Sequence, residues 1–142
     1  MKRTQQQITC KTPNFKTIIQ QPITKTFEFF EYLKLTNLES LDLGWDKISQ
    51  MPEKISQLQN LKYLDLTVNK FTKFSTTVLM LSKLEILILE QNQISKVFIL
   101  DSKLENLIDL ILSYNCINEI HLQLLKLESL DLNLNNIVNL NL

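Results

Sequence analysis

The sequence predicts an α/β solenoid: similar coils stacked side by side, each giving one short strand to a curved parallel sheet on the concave side and a short helix or loop to the convex side. Three observations carry this prediction. A leucine pattern returns at a nearly constant interval, and within each copy the leucines alternate with other residues as in a strand. Glycine, which tight hairpins and phosphate-cradling loops require, occurs once in 142 residues.

The repeat decides the fold. Leu38-Glu-Ser-Leu41-Asp-Leu43, followed by Asp46 and Ile48, returns 23 residues later as Leu61-Lys-Tyr-Leu64-Asp-Leu66, with Asn69 and Phe71. The same step leads to Leu84, Leu87 and Leu89 with Asn92 and Ile94, and then to Leu107, Leu110 and Leu112 with Asn115 and Ile117. A fifth copy, Leu127-Glu-Ser-Leu130-Asp-Leu132 with Asn135 and Ile137, follows after 20.

In each copy the two closing leucines fall on one side of a strand and their neighbours on the other, so stacked copies form a parallel sheet with its leucines inside. The leading leucine and the apolar residue after the asparagine fill the coil from its other sides. The residues Asp46, Asn69, Asn92, Asn115 and Asn135 turn the chain out of the strand. An asparagine amide there can pair backbone groups that the bend would leave unpaired, and asparagines stacked in register form a ladder. Asp46 keeps only the acceptor half of that chemistry when ionised.

Between strands, segments such as Glu53 to Gln59 and Thr76 to Ser82 have room for one or two helical turns. Upstream, Phe27 to Leu35 aligns by the same step through Tyr32 and Leu35 and is expected to form an incomplete first repeat. Phe15 and Ile18 suggest a degenerate cap further back, with Gln20 where a core leucine belongs. At the other end Ile137, Leu140 and Leu142 lie 20 residues after Ile117, Ile120 and Leu122, so the sequence stops inside a repeat. An uncapped end of this kind is expected to belong to a fragment, or to be covered by self-association or a partner.

Composition divides the chain into a tail and a body. Residues 1–27 hold Lys2, Arg3, Lys11, Lys16 and Lys25, no acid, two prolines and many Gln and Thr; residues 28–142 hold ten basic and fifteen acidic side chains. A tail of charge +5 therefore joins a body of charge −5, and the body is the repeat domain. Cys10 and Cys116 form no C-x-x-C pair, and no N-x-[ST] sequon occurs. No stretch approaches the roughly 18 apolar residues of a membrane span, and no apolar segment follows Lys2 and Arg3 as a secretory signal would require. A cytoplasmic protein in a reducing compartment, without membrane contact, is expected.

The pattern L-x-x-L-x-L-x-x-N-x-L resembles the signature of the leucine-rich repeat family over about residues 28–142. The unit Met51-Pro-Glu-Lys-Ile55-Ser-Gln-Leu58-Gln-Asn-Leu61-Lys-Tyr-Leu64-Asp-Leu66 is similar to the 23-residue class of Ras-group and related intracellular members. Other copies depart from that class, with Phe74 and Val78 in the third, Asp101 at an apolar position in the fourth, and a shortened fifth. The resemblance implies a non-catalytic module that presents its concave sheet to a partner protein.

The outward strand positions identify that face. They are Ser40, Asp42, Gly44 and Trp45; Tyr63, Asp65, Thr67 and Val68; Ile86, Ile88, Glu90 and Gln91; Asp109, Ile111, Ser113 and Tyr114; and Ser129, Asp131, Asn133 and Leu134. None is Lys or Arg and five are acidic, while Trp45, Tyr63, Ile86, Ile88, Ile111 and Tyr114 form an apolar and aromatic strip. Such a surface selects a basic and apolar protein or peptide. The predicted partner site is Trp45, Tyr63, Asp65, Ile86, Ile88, Glu90, Asp109, Ile111, Tyr114 and Asp131. The face lacks the clustered lysines and arginines that nucleic acid demands.

Catalytic chemistry has little footing. His121, the only histidine, lies between the core positions Ile120 and Leu122, and no third group orients it with Cys116. Paired carboxylates such as Asp42 and Asp65 would stand on an open sheet, without the dry pocket that acid–base work needs. No metal site and no cofactor are expected. The expected function is that of an intracellular scaffold or adaptor in signalling. The alternative is the substrate-recognition part of a larger enzyme, such as a ubiquitin ligase or kinase, whose catalytic portion lies elsewhere.

Overall fold

The computed structural model describes residues 37–100 and 103–142. The expectations for the basic tail, for Phe27 to Leu35 and for Asp101 lie outside these residues.

Strands β1 (Ser40–Asp42), β2 (Tyr63–Asp65), β3 (Ile86–Ile88), β5 (Asp109–Ile111) and β7 (Ser129–Asp131) form one sheet in the order β1-β2-β3-β5-β7, with every pair parallel. Its register is the repeat itself: Ser40, Tyr63, Ile86, Asp109 and Ser129 stand beside one another in turn. A register of this kind is strongly specified, because a slip of one residue would turn the leucines outward.

The inward columns are dry. Leu41, Leu64, Leu87 and Leu110 are all 0% exposed, and Leu61, Leu84 and Leu107 pack as completely on the other side of the coil. Phe71, Ile94 and Ile117, which follow the asparagines, complete the core with Ile55, Val78, Leu58 and Leu81. No coil could bury this set alone, so each coil is stable only against its neighbours. The fifth coil is less complete: Leu127, Leu130, Leu132 and Ile137 are partly buried, while Leu134, Val138, Leu140 and Leu142 are exposed.

Four asparagines make a ladder of backbone bridges between adjacent coils. The Asn92 amide donates to the carbonyls of Leu66 in the coil before (3.0 Å) and of Leu89 in its own (3.1 Å), while its oxygen accepts from the N–H of Phe71 (3.1 Å). Asn69, Asn115 and Asn135 repeat the arrangement with Leu43, Leu89 and Leu112 as the preceding-coil carbonyls.

The convex side carries the expected short turns in its first two coils and, beyond them, a second sheet. Coils one and two make single 3-10 turns, Glu53–Gln57 and Val78–Met80. Coils three to five also carry a second parallel sheet, made of β4 (Lys96–Ile99), β6 (Glu119–Leu122) and β8 (Asn139–Asn141) in the order β4-β6-β8. The physical reason is spacing. Coils held about 4.8 Å apart by one sheet leave little room for α-helices about 10 Å across, whereas strands stack at the same interval.

Pro52, which has no N–H to give a ladder, falls in register two repeats before Phe98, so the second sheet cannot extend to the first coil. In coil two, residues 73–76 stand where coil three has β4, and a contact between the Ser75 and Thr77 hydroxyls (2.7 Å) leads from them into the turn Val78–Met80.

Candidate binding face

The concave sheet builds its outer surface in four columns. The second column contains Asp42, Asp65, Ile88, Ile111 and Asp131, which occupy the same place in successive strands. Its three acids share a local task. Asp42 accepts the N–H of Gly44 (2.9 Å), Asp65 that of Thr67 (2.8 Å) and Asp131 that of Asn133 (2.9 Å). Each carboxylate therefore holds the exit from its own strand, a side-chain mimic of a backbone turn. Burial pushes the Asp65 carboxyl above the ordinary aspartate range, helped by the neighbouring Asp42 charge and opposed by its bonds with Thr67 and Tyr63.

The fourth column has a property that the sequence does not advertise. Trp45, Val68, Gln91, Tyr114 and Leu134, one before the ladder residue in each coil, all take left-handed backbone angles with φ between 52° and 68°. None is glycine, so each carries a steric cost of roughly 1–2 kcal/mol. Inter-coil hydrogen bonds hold them there: Trp45 N–H donates to Thr67 O (2.9 Å), Val68 to Glu90 O (2.9 Å), Gln91 to Ser113 O (3.1 Å) and Tyr114 to Asn133 O (2.9 Å). The turn lifts these side chains along one border of the sheet, where Trp45 is 62%, Tyr114 50% and Leu134 63% exposed.

The predicted site residues therefore divide. Ile86, Ile88 and Ile111 come together on β3 and β5, half-buried, between the acids of β1, β2 and β7. Asp65, Glu90, Asp109 and Asp131 are half-buried around them. Trp45 and Tyr114 stand at the border, away from the isoleucines. Tyr63 adds little accessible surface, being 8% exposed with its hydroxyl donating to Asp65 Oδ2 (3.3 Å). Leu134 was not among the predicted contact residues, although it lay in an outward column. A border position directly before the ladder asparagine was the available signal.

Sequence reasoning also missed the surface of the second sheet. The alternation in Lys96-Val97-Phe98-Ile99 and Glu119-Ile120-His121-Leu122 was a strand signal there to be read. Phe98 is exposed and its ring lies 5.3 Å from that of His121. Lys96 Nζ meets Glu119 Oε2 at 2.7 Å, and this bond, with His121 3.5 Å from the other oxygen, holds the Glu119 carboxyl below its ordinary range. Among the described residues no group of three His, Cys, Asp or Glu side chains could hold a metal ion. Nor is any helix there long and apolar enough to cross a membrane.

Comparison with known proteins agrees with this geometry. Residues 36–94 match the model of a family described as leucine rich repeat. A solved structure of a leucine-rich repeat protein from Leptospira interrogans superposes with a TM-score of 0.57 at 28% sequence identity. The match covers 79% of this chain and 38% of that protein, so the chain spans well under half the length of its structural neighbour. No curated protein matches significantly. Both matches are to leucine-rich repeats in general, and the Ras-group likeness remains a feature of the sequence alone.

Proposed function

We propose that this chain, a leucine-rich repeat protein, is a non-catalytic interaction module, an intracellular scaffold or adaptor in signalling, that binds a basic and apolar segment of a partner protein across its concave sheet. Leucine-rich repeat domains are typical of protein–protein interaction. The observation that carries the finer reading is the composition of the concave columns. Ile86, Ile88 and Ile111 form an apolar centre, acids stand on both sides, and no outward position is Lys or Arg. Apolar anchors supply affinity in such a surface, and the acids select charge and speed encounter.

The test is capture from native lysate with the intact chain and with an Ile88→Lys, Ile111→Lys variant whose circular dichroism is unchanged. Both positions are half-buried on the outward side, so lysine can extend into water without disturbing the leucine core. A protein held by the intact chain and released by the variant supports the reading. Equal capture by both removes the concave strip from it.

A further inference from the structure

The chemistry that the concave face selects is present in the chain itself. Across the second column the face reads Asp42, Asp65, Ile88, Ile111, Asp131: acidic at both ends and apolar in the middle, over about 19 Å at a strand spacing near 4.8 Å. Residues 1–27 are the complement. They carry five basic side chains and no acid, and Lys16 and Lys25 bracket Ile18, Ile19 and Ile23. An apolar cluster between two cations matches an apolar centre between two acidic flanks.

Reach is sufficient. Even with Phe27 to Leu35 held in the expected first repeat, the eleven residues 16–26 could span up to about 36 Å, more than the width of the five strands. Tethering raises the local concentration of the segment to the order of millimolar, so a weak contact suffices for occupancy.

We propose that residues 1–27 dock within the same molecule on the concave face and compete there with the partner segment, so that a partner must displace the tail to bind. The proposal rests on the reading of the face given above. Because the attraction is between charges of opposite sign at a surface, it weakens as salt shortens the Debye length.

The natural Cys10 provides the probe. In the full chain carrying Cys116→Ser, a nitroxide on Cys10 is expected to broaden the amide signals of Ile86, Ile88 and Ile111 more than those of Phe98 and His121 on the other sheet. That difference is expected at about 0.05 M salt and to vanish at about 0.5 M, where the Debye length is only a few Å. It is also expected to vanish in a Lys11→Glu, Lys16→Glu, Lys25→Glu variant whose remaining amide spectrum is unchanged.

Equal broadening of both sheets, no broadening, or broadening that survives the charge reversal overturns the proposal. So does broadening that persists when labelled and spin-labelled molecules are different copies, since the contact is then between chains. Failure here, with Ile88→Lys, Ile111→Lys still abolishing capture, would remove the tail and leave the binding role of the face standing.

Discussion

At the scale of single residues, the most constrained side chains are the ladder asparagines. Asn92 is 7% exposed and serves carbonyls in two coils while accepting the N–H of Phe71 in the preceding coil, a combination of donor and acceptor that no carboxylate or aliphatic side chain reproduces. Replacing it with alanine leaves buried backbone groups unpaired, each costing about 1–3 kcal/mol. Asn92→Ala is therefore expected to lower unfolding free energy by about 3 kcal/mol or more. Asn135→Ala, in the partly open fifth coil where water can replace the amide, is expected to cost about 1 kcal/mol. Urea denaturation of the two variants checks the order, and equal losses would contradict a role set by burial. The ladder positions were legible in the sequence because asparagine recurs in fixed register. The left-handed residues beside them were not, since Trp45, Val68, Gln91, Tyr114 and Leu134 share no composition that announces a positive φ.

At the scale of the element, each concave strand is only three residues of regular pairing, and its end needs a local fastening. Asp42, Asp65 and Asp131 provide it. For Asp65 the arrangement has a pH signature. Its carboxyl is pushed upward in the fold, first by burial and then by Asp42, so the folded state binds a proton more tightly than the unfolded chain. The penalty is therefore present at neutral pH and is relieved as pH falls through the raised value toward the ordinary aspartate range near 3.9. Asp65→Asn keeps an oxygen for the Thr67 N–H and removes the buried charge. The variant is expected to melt at a higher temperature than the parent at pH 7, with the gap closing in scans carried toward pH 4. A parent more stable than the variant at pH 7 would mean that the carboxylate bonds outweigh the desolvation. The same scale explains the convex side: room for helical turns between strands is visible in the sequence, but stacking distance decides whether helix or strand fits.

At the scale of the whole molecule, the core runs as one column through the stack, and stability is the sum of coils and the contacts between neighbours. Middle coils bury both faces, with Leu64, Leu87 and Leu110 wholly inaccessible, while the fifth exposes Leu134, Val138, Leu140 and Leu142, the last of which lines a cleft of about 260 Å³ with Leu122, Leu124, Leu127 and Leu130. Hydrogen exchange is expected to follow this gradient. Amides of β7 and β8 should exchange fastest among the strands, and those of β2, β3 and β5 slowest, because local opening needs only the contacts of one coil to break. Uniform protection along the stack would show that the fifth coil is covered in solution, as self-association through that end would require.

The sequence by itself determined the strand register, the inward leucines, the ladder and the columns of the concave face, because all follow from a repeat length and a period of two. Only the tertiary structure decided how much of each outward side chain meets water. Tyr63 is an outward residue like Ile86, yet it lies nearly buried against Asp65, while Tyr114 at the border is half exposed. It also decided that coils three to five close their convex side with strands. Both are outcomes of neighbouring coils packed about 4.8 Å apart, where the side chain or turn next door, and not the local pattern, sets the space available.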